Sequence, residues 1–212
     1  ENHSNYFSID MYLIRGQHNL ELFNSRYPNE ALSGTIGNFD GLHLGHQAIL
    51  KKIKKNADKY NAKTIVFFTE PHASEYFSII KDKSSNPPPR ICPWREKFKL
   101  LEKSGIDFAC FLKFNNNLRT MSPESFISEI LESINLKSFT VGDDFRFGAY
   151  RKGDTDLLRV WGDQKGIYIE NTETILFNQE RVSSSRIRSA LLENNFELAK
   201  NLLGRPYTFS GK

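Results

Sequence analysis

Thr35-Ile36-Gly37-Asn38-Phe39-Asp40-Gly41-Leu42-His43-Leu44-Gly45-His46 leaves a β-rich run, turns through Gly37 and Gly41, and enters a helical pattern at about Gly45. Glycines at a strand-to-helix turn let backbone N–H groups approach a ligand closely. The helix start beyond adds unpaired N–H donors and a partial positive charge, a ready site for phosphate. The spacing fits neither GxGxxG nor GxxxxGK[ST]. Its distinguishing feature is the pair His43 and His46, three residues apart around Gly45. Both can face one anion, where imidazole N–H donors would stabilise charge developing on a transferring phosphoryl group.

Outward from this segment, β-rich runs at Ala31–Gly37, Lys63–Thr69, Phe108–Phe114, Ser138–Val141 and Ile167–Ile169 alternate with helical patterns. The helices are expected at Gly45–Tyr60, Trp94–Ser104, Pro123–Ile134, Thr155–Gly166, Ser184–Asn194 and Phe196–Leu203. Ser122-Pro123-Glu124 supplies a clean start, with Ser as N-cap and Pro at the first helical position. Strands separated by helices of this length imply βαβ units, hence an α/β fold with a parallel sheet and helices on both faces. Ligands in such folds bind at the carboxyl ends of the strands, near the topological switch point. Pro87-Pro88-Pro89 breaks any regular element and reads as an exposed loop.

The composition narrows the class. Of 212 residues, 39% are apolar and 13% aromatic, with 17 Phe, which excludes intrinsic disorder and fills a sizeable core. Mean hydropathy is −0.50, and no run approaches the ~20 apolar residues of a membrane helix. No secretory apolar segment opens the chain. Cys92 and Cys110 form no CxxC and join no Cys/His cluster, so a zinc site is excluded and a disulfide framework is not expected. Buried thiols in a reducing cytosol, and so a cytoplasmic location, are the expectation. Net charge is only +4, and Lys51-Lys52-Ile53-Lys54-Lys55 reads as the solvated face of an amphipathic helix. Neither a nucleic acid nor a membrane is an expected partner, whereas a mild positive field suits an anionic small substrate. No internal repeat or linker divides the chain. Residues 1–10 read as a polar leader or cloning remnant, 11–203 as one domain, and 204–212 as the start of something further.

Gly37–His46 resembles the HxGH signature of the nucleotidyltransferase superfamily. More closely, it resembles the adenylyltransferase module of prokaryotic bifunctional riboflavin kinase/FAD synthetases. Other segments share the likeness. Tyr12-Leu13-Ile14-Arg15-Gly16 looks like the opening strand, and Phe68-Thr69-Glu70-Pro71-His72 like the loop after the second, with Ala73 where a second proline normally stands. Pro89-Arg90-Ile91, Glu96-Lys97 and Gly105-Ile106-Asp107 match the approach to the third strand. Val141-Gly142-Asp143-Asp144-Phe145-Arg146-Phe147-Gly148 is characteristic of the flavin-adenylating branch. Arg181-Val182-Ser183-Ser184-Ser185-Arg186-Ile187-Arg188 looks like the second nucleotide signature, the counterpart of KMSKS. Gly204-Arg205-Pro206-Tyr207 resembles the junction with the kinase barrel.

The resemblance implies a Rossmann-like nucleotidyltransferase fold and an FMN adenylyltransferase using ATP, FMN and Mg²⁺. It implies catalytic roles for His43, His46, Ser184 and Arg188, with Arg188 as a triphosphate clamp. ATP would be bound by Gly37, Asn38, Phe39, Gly41, Gly45, Ser183 and Ser185, and FMN by Asp144, Phe145, Phe147 and Arg181. Read physically, Phe145 and Phe147 offer either a wall for a planar ring or core packing. No metal-ligating residue is assigned, because Mg²⁺ rides mainly on phosphates. A riboflavin kinase module is expected in cis, but its Pro-Thr-Ala-Asn motif is missing, so this chain alone is not expected to phosphorylate riboflavin. The alternatives are another HxGH nucleotidyltransferase, or a flavin-binding module whose chemistry has lapsed.

Overall fold

The computed structural model describes residues 11–81 and 86–208. The leader at 1–10 and the end of the 204–212 segment lie outside the described residues. In chain order the elements are β1 (Tyr12–Arg15), α1 (Leu20–Arg26), β2 (Leu32–Ile36), α2 (Leu44–Tyr60), β3 (Lys63–Glu70), α3 (Ala73–Lys81) and α4 (Trp94–Lys103). Next come β4 (Phe108–Lys113), α5 (Asn116–Thr120), α6 (Pro123–Phe126), β5 (Leu136–Gly142), α7 (Thr155–Lys165) and β6 (Tyr168–Thr172). A hairpin, β7 (Leu176–Phe177) with β8 (Glu180–Arg181), leads into α8 (Ser184–Leu192) and α9 (Phe196–Leu203).

Six strands form one parallel sheet in the order β1-β4-β3-β2-β5-β6. Side chains of β3 alternate between its faces. Ile65 and Phe67 join a core built with α1, α5, α6 and α7, which contribute Leu20, Phe23, Leu118, Phe126, Leu158 and Trp161. Val66 and Phe68 join a second core with Leu50 and Ile53 of α2 and Leu101 of α4. Burial on both faces explains why β3 reads as a continuous apolar run rather than an alternating one. A third cluster, Ile91, Val182, Ile187, Leu202 and Leu203, seats α8 and α9.

The six expected helices and the five expected strands are all present, with ends shifted by a residue or two in most. The helices α1, α3 and α5 are additional to those expected, and two further differences stand out. The helix expected at Pro123–Ile134 starts as expected, with Ser122 Oγ accepting the Ser125 N–H at 3.0 Å, but widens to a π turn over Ile127–Leu131. There the Glu132 N–H reaches back to the Ile127 carbonyl at 2.9 Å. The β7–β8 hairpin turns through Asn178 (φ 52°) and Gln179 (φ 64°), left-handed residues without the glycine that marks such turns in sequence. Residues 86–89 are exposed and irregular, as the triple proline requires. On α2, Lys51, Lys54, Lys55 and Lys59 face solvent while Ile53 is buried, the amphipathic arrangement expected. No helix among the described residues is long and apolar enough to cross a membrane.

The chain winds outward from β2 in two directions, through β3 and β4 on one side and β5 and β6 on the other. The loops after β2 and β5 therefore part above adjacent strands, and a crevice opens between them.

Candidate active site

The turn leaving β2 is held in an unusual backbone shape. Phe39 (φ 48°), Gly41 (φ 77°) and Leu42 (φ 45°) all lie in the left-handed region, which costs a residue with a side chain. Asp40, 1% exposed, over-determines it. Its carboxylate accepts the N–H groups of Ile91 at 3.0 Å and Cys92 at 3.3 Å and pairs with Arg188 Nη2 at 2.5 Å. A Cβ on Gly41 would meet Ile91 Cγ2 at 2.7 Å, so glycine is required there by space as well as by φ. The carbonyls are tied too. Ser184 Oγ donates to Asp40 O at 3.1 Å, Arg205 Nη2 to Gly41 O at 2.8 Å, and Gln47 Nε2 to Leu42 O at 2.9 Å.

His43 is the N-cap of α2, its Nδ1 accepting the His46 N–H at 3.3 Å. Acceptance at Nδ1 assigns the ring proton to Nε2. The two imidazoles stack with centroids 3.7 Å apart and planes 14° from parallel. Phe39, wholly buried, backs His46 at 4.9 Å. Burial pushes His43 down to about 4, with Arg181 adding to the fall and Asp40 opposing it. Burial also holds His46 well below the ordinary range, helped by His43 and Lys97. Both rings are neutral near pH 7, so they act as N–H donors rather than as cations. His46 Nδ1 is buried without a hydrogen-bond partner among the described residues.

In front of these rings lies a cleft of about 320 Å³. One wall is the β2 turn and the start of α2. The other is the loop after β5, where Asp144 pairs with Arg181 Nη2 at 2.8 Å and Asp143 accepts the Thr174 hydroxyl. The start of α8 closes the end. Of the residues expected in the site, Gly37, Asn38, Phe39, His43, Gly45, His46, Asp144, Phe145, Arg181, Ser183 and Ser184 line this one cleft.

Four expected residues do not line it. Gly41 is buried behind the turn. Phe147 packs on Phe126 at 5.3 Å and on Phe145 at 5.6 Å, which decides for core packing over a ligand wall at that position. Ser185 faces solvent on the outer side of α8. Arg188 is committed to Asp40 and to the Pro89 carbonyl, to which Nε donates at 2.7 Å. Ser183 lines the cleft but also caps α8, its Oγ accepting the Arg186 N–H at 3.3 Å. Cys92 and Cys110 are free and buried.

Sequence reading missed Asp40 and Arg205, which brace the turn, and Thr174, which braces the facing loop. An acid inside a turn read as an anion site was a signal for Asp40. Nothing local marked the other two. Among the described residues, no group of three His, Cys, Asp or Glu side chains could hold a metal ion.

Residues 26–186 match the family model for FAD synthetase. The bifunctional riboflavin kinase/FMN adenylyltransferase of Buchnera aphidicola subsp. Schizaphis graminum is 41% identical over 204 residues, covering 95% of this chain and 62% of that protein. Its Escherichia coli K12 counterpart is 39% identical over 203 residues, with the same shares covered. The chain thus spans 62% of the length of these curated relatives. Among solved structures, a macrolide-efflux protein from Streptococcus pneumoniae matches with a TM-score of 0.76 at 22% identity, over 93% of this chain and 72% of that one. A pantoate–β-alanine ligase from Francisella tularensis matches with a TM-score of 0.50 at 13% identity, over 92% and 85% of the two chains. These two likenesses concern the fold alone, and they agree with the parallel α/β sheet described above. The family model spans most of the chain and carries the strand, turn and cleft just described: this protein belongs to the FAD synthetase family.

Proposed function

We propose that the chain is an FMN adenylyltransferase: ATP and FMN give FAD and pyrophosphate. The observation that carries this reading is the convergence of the stacked His43–His46 pair, the α8 start and the Asp144–Phe145 loop on one cleft. The family membership and the bifunctional relatives support it. An FMN phosphate oxygen attacks the α-phosphorus of ATP in line, and the bond to the bridging oxygen breaks as pyrophosphate leaves. The nucleophile is already ionised, so the chain needs no base and forms no covalent intermediate. Its work is positioning and charge stabilisation.

In this reading His43 Nε2–H and His46 donate to the triphosphate and to the charge that develops on it. Ser184 stands at the start of α8, where helix N–H groups attract phosphate, and its hydroxyl donates to the ligand by exchanging the Asp40 carbonyl for it. Gly37 and Asn38 flank the nucleotide, and Gly45 leaves room beneath His43, whose Cε1 would stand 3.1 Å from a Cβ there. Phe145 offers a face to the isoalloxazine, with Asp144 and Arg181 at the mouth. Arg188 serves first as a strut, since it reaches phosphate only by exchanging Asp40 for it. Mg²⁺ would be held mainly by the phosphates rather than by side chains of this chain, and would supply neutralising charge there. The riboflavin kinase module named in the relatives would lie in the remaining part of the full-length protein, and the reading fits a cytoplasmic enzyme.

The test is direct. The purified chain with ATP, Mg²⁺ and FMN should yield FAD and pyrophosphate, and with riboflavin in place of FMN should yield neither FMN nor FAD. Nicotinate mononucleotide and phosphopantetheine should not replace FMN. A preparation that binds FMN but releases no pyrophosphate would establish the lapsed flavin-binding module instead.

A further inference from the structure

Lys97 is a lysine where the physics disfavours one. It sits in the first turns of α4 with its side chain 0% exposed. Its ammonium donates to the Asn38 carbonyl at 2.7 Å and meets His72 Nε2 at 3.0 Å, with the Phe68 ring 4.8 Å away. It forms no ion pair among the described residues, although burying a charge without one is costly. The neighbouring acids are engaged elsewhere. Glu70 and Glu75 are both held by Arg90, at 2.6 and 2.5 Å, and Asp40 by Arg188. The ammonium therefore stands behind the nucleotide turn with no carboxylate in contact: burial pushes its pKa down, and Asp40 and Glu70 oppose that fall only from a distance. Asn38, whose carbonyl it grips, lines the cleft. The lysine field also reaches His46, where it helps to keep the imidazole neutral.

We propose that Lys97 is a positioning residue of the nucleotide site: it anchors the Gly37–Phe39 turn through Asn38, and its countercharge is the polyphosphate bound in front of that turn. The inference rests on the adenylyltransferase reading only for the identity of the ligand as ATP. His72 is part of the device. As a neutral ring accepting from the ammonium at Nε2, it fixes Lys97 without neutralising it, and its backbone N–H, donating to Glu75 Oε2 at 3.1 Å, ties the loop that carries it. The cation is thus held by dipoles on the protein side, leaving its monopole for a ligand.

Two variants separate charge from packing. Lys97→Met removes charge and donor but fills the apolar channel, and loss of a buried unpaired charge need not destabilise. Lys97→Gln removes only the charge and retains a donor for Asn38. Binding of ATP, of inorganic pyrophosphate and of FMN is measured separately by calorimetry, beside melting temperature and turnover. Both variants should bind ATP and pyrophosphate about tenfold more weakly, with KM for ATP raised by a similar factor. FMN affinity should stay within twofold, and Lys97→Gln should melt near the parent. A merely structural lysine predicts a lowered melting temperature with ATP and FMN affinities falling together, and that pattern overturns the proposal. So does unchanged ATP and pyrophosphate affinity in Lys97→Gln, should Lys97→Met fail to fold. A parent that binds ATP but makes no FAD defeats the adenylyltransferase reading and leaves the Lys97 comparison intact. One that binds neither ATP nor pyrophosphate defeats both.

Discussion

The two walls of the cleft are built on different principles. The turn after β2 is locked from inside the protein. Asp40 gathers two backbone N–H groups and a guanidinium, Arg205 and Gln47 hold the next carbonyls, and Lys97 grips Asn38. The opposite wall, after β5, is held at the surface by the half-exposed Arg181–Asp144 pair and by Thr174 on Asp143. A buried, fully bonded polar network is rigid and costly to break, whereas an exposed ion pair is worth little. On the proposed reading, the wall after β2 would be set before a phosphate arrives, and the wall after β5 would be free to adjust to a bulky flavin ring.

Breaking the first wall should have the largest effect. Asp40→Ala leaves Arg188 without its partner and two backbone N–H groups without an acceptor. Loss of one member of a buried pair costs about 3–5 kcal/mol. Urea unfolding should show that loss, and ATP binding should fall with it. A midpoint near the parent's would mean that the turn stands without Asp40.

His46→Ala tests the chemistry of the same wall. Removing a donor that acts mainly in the transition state should lower kcat and kcat/KM together by ~10²–10³, or about 2.7–4 kcal/mol. FMN affinity without ATP should barely move. Near-normal turnover would remove His46 from the mechanism, whatever the melting curve shows.

The histidines also make the first wall sensitive to acid. The ordinary histidine value is 6.5, and folding depresses His43 to about 4, so between those values the unfolded chain holds the extra proton. Stability therefore falls as pH drops from about 6.5 toward 4, by about 1.4 kcal/mol per pH unit for His43 alone. The cumulative loss is on the order of 3 kcal/mol by the acid end of that window. His43→Asn, which retains a side-chain cap for α2, should flatten the slope in urea melts recorded across the window. A slope unchanged in that variant would place the acid sensitivity elsewhere.

The smallest effect belongs to the second wall. Asp144→Asn breaks an exposed pair and should change stability by less than about 1 kcal/mol. FMN affinity should respond more than ATP affinity. Equal weakening of both ligands would erase the distinction between the walls.

How much was legible follows the same division. The βαβ order, the Ser122 cap and the histidine pair at the start of α2 were readable because each is a property of a few successive residues. The β7–β8 hairpin was not, because Asn178-Gln179 turns left-handed without a glycine to announce it. Phe145 and Phe147 are the same residue two positions apart, yet one lines the cleft and the other is core. Successive odd positions past a strand end lose their fixed alternation, and only the position of Phe126 and Gly153 sends Phe147 inward.

By itself, then, the sequence determined the local grammar: which runs pair as strands, where the glycine turn falls, and that two imidazoles and a serine-capped helix are available for an anion. The tertiary structure decided who stands opposite whom. Asp40 meets Ile91 and Cys92, 51 and 52 positions away, and Arg188, 148 positions away. Lys97 reaches Asn38 across 59. Periodicity and capping act within a turn or two of chain, whereas the ionic and hydrogen-bonding partners of a buried charge are chosen by the sheet order that folds distant segments together. Whether Arg188 is a free clamp or a strut, and whether Lys97 has a countercharge, are questions of neighbourhood, and a linear pattern carries no neighbourhood.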